Sequence, residues 1–182
     1  PIAGAFVDRH DRKRTMIAMD VASGVLSLVI MALIGAHLLN LYGLIVIVAS
    51  SAIFGTFHQA AFDTSYAMIV PEEKLPRANG MMQTIFALSG IVAPGLAATL
   101  IAVPALARQG NLPLFAAPLG AITDGAVLAV GIDAVTFFFA AVTLVFLVIP
   151  SPKRTDLHTE TGETKSLWAD VREGVTYIWH RR

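Results

Sequence analysis

Long apolar runs alternate with short polar segments over the first 150 residues of the chain. Four runs carry at most one charge each and are long enough to cross a bilayer core, which takes about 20 residues of helix. They are 15–39, 41–62, 78–103 and 125–150. Backbone groups in lipid must be satisfied internally, and these runs lack the period-2 alternation of a barrel strand. The pattern therefore predicts an all-α, multi-pass transmembrane helical bundle.

The polar segments divide the chain into a transmembrane region, 1–150, and a hydrophilic tail, 151–182. Within the tail, apolar side chains recur at helical spacing from Leu167 to Ile178, which predicts an amphipathic helix over about 167–180 at the membrane surface. The apolar loop between the third and fourth runs contains Pro113 and Pro118. It is either an irregular cap or a shallow re-entrant segment.

Composition narrows the class of protein. Hydrophobic residues make up 55% and charged residues 14% of the chain, whereas a soluble domain carries about 25% charged residues. The formal net charge of zero argues against a nucleic-acid partner, and the absence of cysteine excludes disulfides and thiolate metal sites. The sequence contains no phosphate-binding glycine loop, zinc-binding His pair or nucleophile elbow, so we predict no enzyme activity, cofactor or metal site.

The distribution of basic residues predicts the orientation. Twelve of the 13 Lys and Arg residues lie in alternate loops and in the tail, and only Arg108 lies on the opposite side. By the positive-inside rule, the basic loops are cytoplasmic. We expect an integral protein of the plasma membrane, with the bacterial inner membrane as its setting.

The chain contains GAFVDRHDRKR (4–14), VPEEKLPRANGMMQ (70–83), GIDAVTFFFAAVTLVFLVIPSP (131–152) and LWADVREGVTYIWHRR (167–182). These four segments, in this order, resemble the major facilitator superfamily of transporters. The first is GAFVDRHDRKR, which begins at Gly4 and matches the family's loop between helices two and three, with Asp11 in place of the usual glycine. This variant resembles the drug- and siderophore-exporter branch. The other segments are similar to the entry of helix five, to helix six and to the central cytoplasmic loop.

The resemblance implies a fold and a function. The chain would comprise the end of helix two, helices three to six of the amino-terminal half and the central loop, so that a carboxy-terminal half would complete the transporter. The implied function is proton-coupled efflux of amphipathic small molecules of drug or siderophore type. Two alternatives stay open: an uptake carrier, and a non-transporting scaffold or receptor on the same fold. The substrate cannot be read from the chain.

The same resemblance implies a conformational latch on the cytoplasmic side. Asp8 would sit near a helix start of the other half while that side is closed, and Arg12 would reach Asp63 at the inner end of the second run. An acid at a helix amino terminus is favourable. The latch motif consists of Gly4, Asp8, Arg9, Arg12, Lys13 and Asp63.

The third run resembles the glycine-rich antiporter motif of exporters, with small residues in place of glycines. Ser89, Ala93 and Ala97 are spaced four apart and predict a smooth ridge for close helix approach. Pro94 removes a backbone hydrogen bond and is expected to bend the helix. The ridge is either a general packing seam or a bend that shapes an exporter.

Asp20 and Asp133 lie inside predicted membrane helices, where a carboxylate is costly and usually paired or functional. Both stand on small, polar stripes at helical spacing, so both are candidates for proton coupling or for helix packing. His58 and Gln59 are candidates for the lining of the transport cavity, with an ordinary packing role as the alternative.

Overall fold

A computed structural model describes residues 2–110 and 113–149, without the side chains of Ile2, Asp8, Leu114 and Phe115. The predicted amphipathic helix at 167–180 and the rest of the tail lie outside the described residues. The described part consists of helices and connections, which confirms the predicted all-α fold. Its α-helices are α1 (Ile2–Arg9), α2 (Arg12–Gly35), α3 (Leu41–Ile69), α4 (Leu75–Arg108) and α5 (Gly125–Phe146). All except α1 are long and apolar enough to span a membrane.

Helix α2 begins three residues before the predicted 15 because Asp11 caps its amino terminus. The Asp11 carboxylate accepts a hydrogen bond from the backbone N–H of Arg14 at 2.8 Å. The helix ends at Gly35, four residues earlier than predicted. His37 adopts a left-handed conformation (φ 55°) there, and Leu38 N–H donates to the carbonyl of Leu33 at 2.9 Å. This is a Schellman ending, which closes the helix without glycine at the left-handed position.

Helices α3 and α4 both extend beyond the runs that hydropathy predicts. Helix α3 continues from 62 to Ile69 and ends just before Pro71, because a residue that precedes proline is disfavoured in the helical conformation. Helix α4 follows a 3₁₀ turn at Glu72–Lys74 and runs through Pro94 and Pro104 to Arg108. Pro104 is buried against neighbouring residues, so packing overrides the helix end that this proline predicts.

The connection between α4 and α5 is an irregular cap, and not a re-entrant segment, in its described part. A 3₁₀ segment, Leu114–Ala121, packs against α4. The Arg108 guanidinium donates to the carbonyls of Gly120 and Ile122 at 3.3 and 2.7 Å. Asp124 then caps α5 by accepting from the N–H of Ala126 at 2.8 Å, and α5 ends four residues before the predicted 150.

Helix α2 is the centre of the bundle and packs against α3 on one side and α5 on the other. Both neighbours run antiparallel to it, because residues late in α3 and α5 contact residues early in α2. At one end, Val7 of α1, Met16 of α2 and Ala61 of α3 form a buried core. We call this end, which carries the basic loop 9–14, the inner end.

Candidate functional site

One face of α2 carries the candidate site. Met16, Asp20, Gly24 and Ser27 are buried on this face and follow one another at intervals of four, four and three residues. That spacing keeps side chains on one side of a helix. The face, which we call the polar stripe, meets α3 near the inner end and α5 along its length.

The inner part of the stripe pairs an acid with a histidine. Asp20 is only 6% exposed, and its Oδ1 lies 3.3 Å from Nε2 of His58 on α3. The contact is an ion pair when the imidazole is protonated. Asp20 Oδ2 is buried without a hydrogen-bond partner among the described residues. Two residues that the sequence singles out separately therefore form one site.

The outer part of the stripe pairs a hydroxyl with the second acid. Ser27 Oγ donates to Asp133 Oδ2 on α5 at 2.6 Å. This distance is typical of a hydroxyl that donates to an ionised carboxylate. Ser27 is buried, whereas Asp133 is exposed within the described part of the chain. Thus Asp133 both connects α2 to α5 and presents a carboxylate to its surroundings.

Gly24 separates the two pairs and lies under an aromatic ring of α5. A Cβ added to Gly24 would stand 3.0 to 3.3 Å from three ring atoms of Phe138, so the glycine permits this close approach. Sequence reasoning did not identify Phe138. The signal that exists is weak: a run of three phenylalanines in α5, 137–139, opposite a helix with glycine on its polar face.

Gln59 does not join the pair formed by its neighbour. Its Nε2 donates to Asp63 Oδ1 one turn along α3 at 2.7 Å, and both side chains are exposed. The contact is local to one helix, so it does not link α3 to α2. Whether Gln59 faces the transport cavity stays a prediction.

The basic loop contacts the ends of both neighbouring helices. Arg12 Nη1 donates to the carbonyl of Thr64 at 3.4 Å and also contacts Met68 Sδ. Lys13 Nζ donates to the carbonyl of Val145 near the end of α5 at 2.9 Å. The charged start of α2 thereby holds α3 and α5 together at the inner end.

Arg12 bonds to the backbone of Thr64, the residue after its predicted partner Asp63. Asp63 itself accepts from Gln59. The pairing of Arg12 with Asp63 stays a prediction. The side chain of Asp8 lies outside the described residues. Gly4 is exposed, and an added Cβ there would meet nothing within 4 Å.

The small-residue ridge of α4 lies on the surface of the described part. Ser89, Ala93, Pro94 and Ala97 are all exposed, and the helix is uninterrupted at Pro94. Pro94 has no N–H to donate within the helix. Because its residues are exposed, the ridge is available for packing. The bend of the helix and its role in export stay predictions. Among the described residues, no group of three or more potential His, Asp or Glu ligands could hold a metal ion.

The sequence of the chain is similar to one protein family and to several named proteins. The family model described as Major Facilitator Superfamily matches residues 1–182. Over 123 residues, 68% of this chain, the sequence is 30% identical to macrolide efflux protein A of Enterococcus faecalis and to that of Streptococcus pyogenes. The matched stretch covers 38% and 30% of those two relatives, so the chain spans about a third of their length. No solved structure matches the chain.

Proposed function

Because this chain belongs to the major facilitator superfamily of transporters, as its motifs predicted, we propose that it forms part of a proton-driven exporter. The cargo that we infer is an amphipathic small molecule of drug type, with macrolides as the first candidates. Two relatives are named as macrolide efflux proteins, which supports export. The remaining helices of the transporter would supply the rest of the cavity.

The observation that carries proton coupling is the contact between Asp20 and His58. A buried carboxylate in a membrane span is costly, about 2.5–3.5 kcal/mol on insertion scales, and such residues commonly mark ion pathways or partners. Here a carboxylate and an imidazole lie 3.3 Å apart between two spanning helices. Asp and His side chains together form proton relays in membrane transporters. The pair therefore has the chemistry that a proton-coupled step needs.

We also infer that the inner end is the cytoplasmic end and that the basic loop stabilises its closed form. The charge distribution of 12 basic residues to one supports this orientation. The contacts of Arg12 with Thr64 and of Lys13 with Val145 support the latch, because they fix the loop on helices of its own half. Asp8 would then meet the other half while the inner side is closed, and this contact would break on opening. The latch would then favour the outward-open state.

The test of proton coupling uses the full-length protein in everted membrane vesicles with an acidic interior. Adding a macrolide should release protons from wild-type vesicles, and Asp20→Asn should abolish this release while substrate binding persists. The matched control is Asp124→Asn, which makes the same chemical change at the cap of α5, where asparagine caps as well as aspartate. Unchanged proton release in Asp20→Asn would exclude this carboxyl from coupling.

The same cells distinguish the direction of transport. An exporter should lower the accumulation of a radiolabelled macrolide in intact cells, and a protonophore should restore it. Increased accumulation would instead indicate an uptake carrier, and no change with any tested macrolide would favour another substrate or a non-transporting role. Single cysteines introduced in 9–14 and near Arg108 can be labelled from each side in a full-length protein made free of other cysteines; these 182 residues contain none of their own. Labelling of 9–14 from the outside would contradict the proposed orientation.

A further inference from the structure

The polar stripe contains two pairs of proton-binding or hydrogen-bonding groups at different depths. We call Asp20 with His58 the inner station and Ser27 with Asp133 the outer station. We propose that the two stations belong to one proton path along α2, and that the ring of Phe138 over Gly24 is the barrier between them. This proposal rests on the proposed function, because it describes the route of the coupled proton.

The spacing of the stations requires a movable link. Asp20 and Ser27 are seven residues apart on one face of α2, a rise of about 10 Å. Proton transfer needs heavy atoms at hydrogen-bond distance, roughly 2.6–3.2 Å, or a bridging water. A proton therefore cannot pass directly from one station to the other, and the space above Gly24 decides whether water can connect them.

The inner station has a vacant acceptor. Asp20 Oδ1 contacts His58, whereas Oδ2 is buried without a partner among the described residues. Buried polar atoms are nearly always hydrogen-bonded in native structures, so an unpartnered one calls for a ligand, a water or a proton. A proton bound at Oδ2 would neutralise the buried carboxylate and leave Oδ1 facing His58.

The outer station consists of an exposed carboxylate that accepts a hydrogen bond. Asp133 is exposed in the described part of the chain, and Ser27 donates to its Oδ2 at 2.6 Å. When Asp133 takes up a proton, its charge is neutralised and the bond from Ser27 weakens. Because this bond joins α2 to α5, protonation of Asp133 weakens the contact between the two helices near Phe138.

Phe138 occupies the gap between the stations. Its ring atoms lie within 3.0 to 3.3 Å of the Cβ position of Gly24, and an apolar ring in this space leaves no polar partners for a bridging water. When α5 moves relative to α2, the ring leaves Gly24 and water can enter. One proton then leaves Asp133, which returns to the carboxylate, and one proton is added to Asp20 or His58.

The charged groups named below on the packed helices of the described chain bond to partners outside the two stations. At the inner end, Arg12 and Lys13 bond to backbone carbonyls of α3 and α5, and Asp63 bonds to Gln59. At the outer end, Asp124 caps α5. Tyr66 of α3 has a buried hydroxyl without a partner, two turns beyond His58. The two stations are therefore the groups that a proton meets along the stripe.

The experiment measures proton leak in proteoliposomes that contain the full-length protein and a trapped pH indicator. With an imposed pH gradient and no substrate, Phe138→Ala should leak protons several-fold faster than wild type, because water fills the vacated space. Phe139→Ala is the matched control: the neighbouring side chain is 72% exposed on another face of the same helix. Adding Asp133→Asn to Phe138→Ala should remove the extra leak.

A second variant at position 138 tests whether the leak comes from misfolding instead of from the vacated space. Phe138→Leu keeps most of the apolar volume and should leak little, and all variants should bind the macrolide probe as wild type does. Equal leak in Phe138→Ala and Phe139→Ala, or a leak that survives Asp133→Asn, would overturn the path while macrolide-driven proton release by wild type upheld the proposed function. A wild type without such release would overturn the proposed function and this path together.

Discussion

The contact between Asp20 and His58 makes a quantitative prediction about the stability of the α2–α3 seam. Replacing His58 by Phe removes the partner of a carboxylate that is 6% exposed and already has one unpartnered oxygen. Replacing Asp20 by Leu removes the carboxylate itself. We therefore expect His58→Phe to destabilise the protein, because it leaves a buried carboxylate unpaired. Asp20→Leu should cost less, because it removes that carboxylate and leaves His58, whose side chain is 32% exposed.

Two scales exist for the free-energy cost of breaking such a contact. Breaking a buried pair in a soluble protein costs about 3–5 kcal/mol. Hydrogen bonds between membrane helices contribute less, about 1–2 kcal/mol in model peptides and about 0.6 kcal/mol on average in a folded membrane protein. The smaller scale applies here, because the 3.3 Å contact exceeds the optimal length of a charge-assisted bond and Asp20 can take up a proton when its partner is lost. We expect a coupling energy of about 1–2 kcal/mol between the two sites.

The assay is a double-mutant cycle on the purified full-length protein, with the free energy of unfolding measured by SDS titration in mixed micelles. His58→Phe should cost about 1–2 kcal/mol in the wild-type background and nearly nothing in Asp20→Leu. Gln59→Leu is the control, because Gln59 bonds within its own helix. Additive effects of His58→Phe and Asp20→Leu, to within about 0.5 kcal/mol, would show that the two side chains do not interact.

Three further predictions concern packing, capping and the outer loop. Gly125→Ala should destabilise the protein by about 1–3 kcal/mol in the same titration, because its Cβ would overlap the backbone of Ile101, whereas Gly35→Ala, with nothing within 4 Å, should not. Asp11→Ala should cost about 1 kcal/mol by loss of the α2 cap, and Asp11→Gly only a few tenths; equal costs would argue against capping. Arg108→Ala should speed hydrogen exchange in 113–122, and unchanged exchange would show that its two carbonyl contacts do not hold the cap.

Which residues lie inside a helix can be predicted well from the sequence. Hydropathy and charge act along one dimension, and they place Asp20 and Asp133 inside helices and the basic loop 9–14 at a helix start. Helix ends are predicted less well. The runs end at 62 and 103, yet the two helices continue to Ile69 and Arg108, because side-chain packing and backbone bonding at the next turn override a local signal.

The all-α membrane fold, the four spanning runs and the family follow from the amino-acid sequence alone. The pairs of side chains that meet follow from the packing of the helices: Asp20 with His58, Ser27 with Asp133, Arg12 with Thr64, and Phe138 over Gly24. The physical reason is that lipid and helix interfaces are both apolar, so hydropathy sets how deep a helix lies and leaves its rotation open. Rotation follows from close contacts at small residues and from the few polar groups that must find partners.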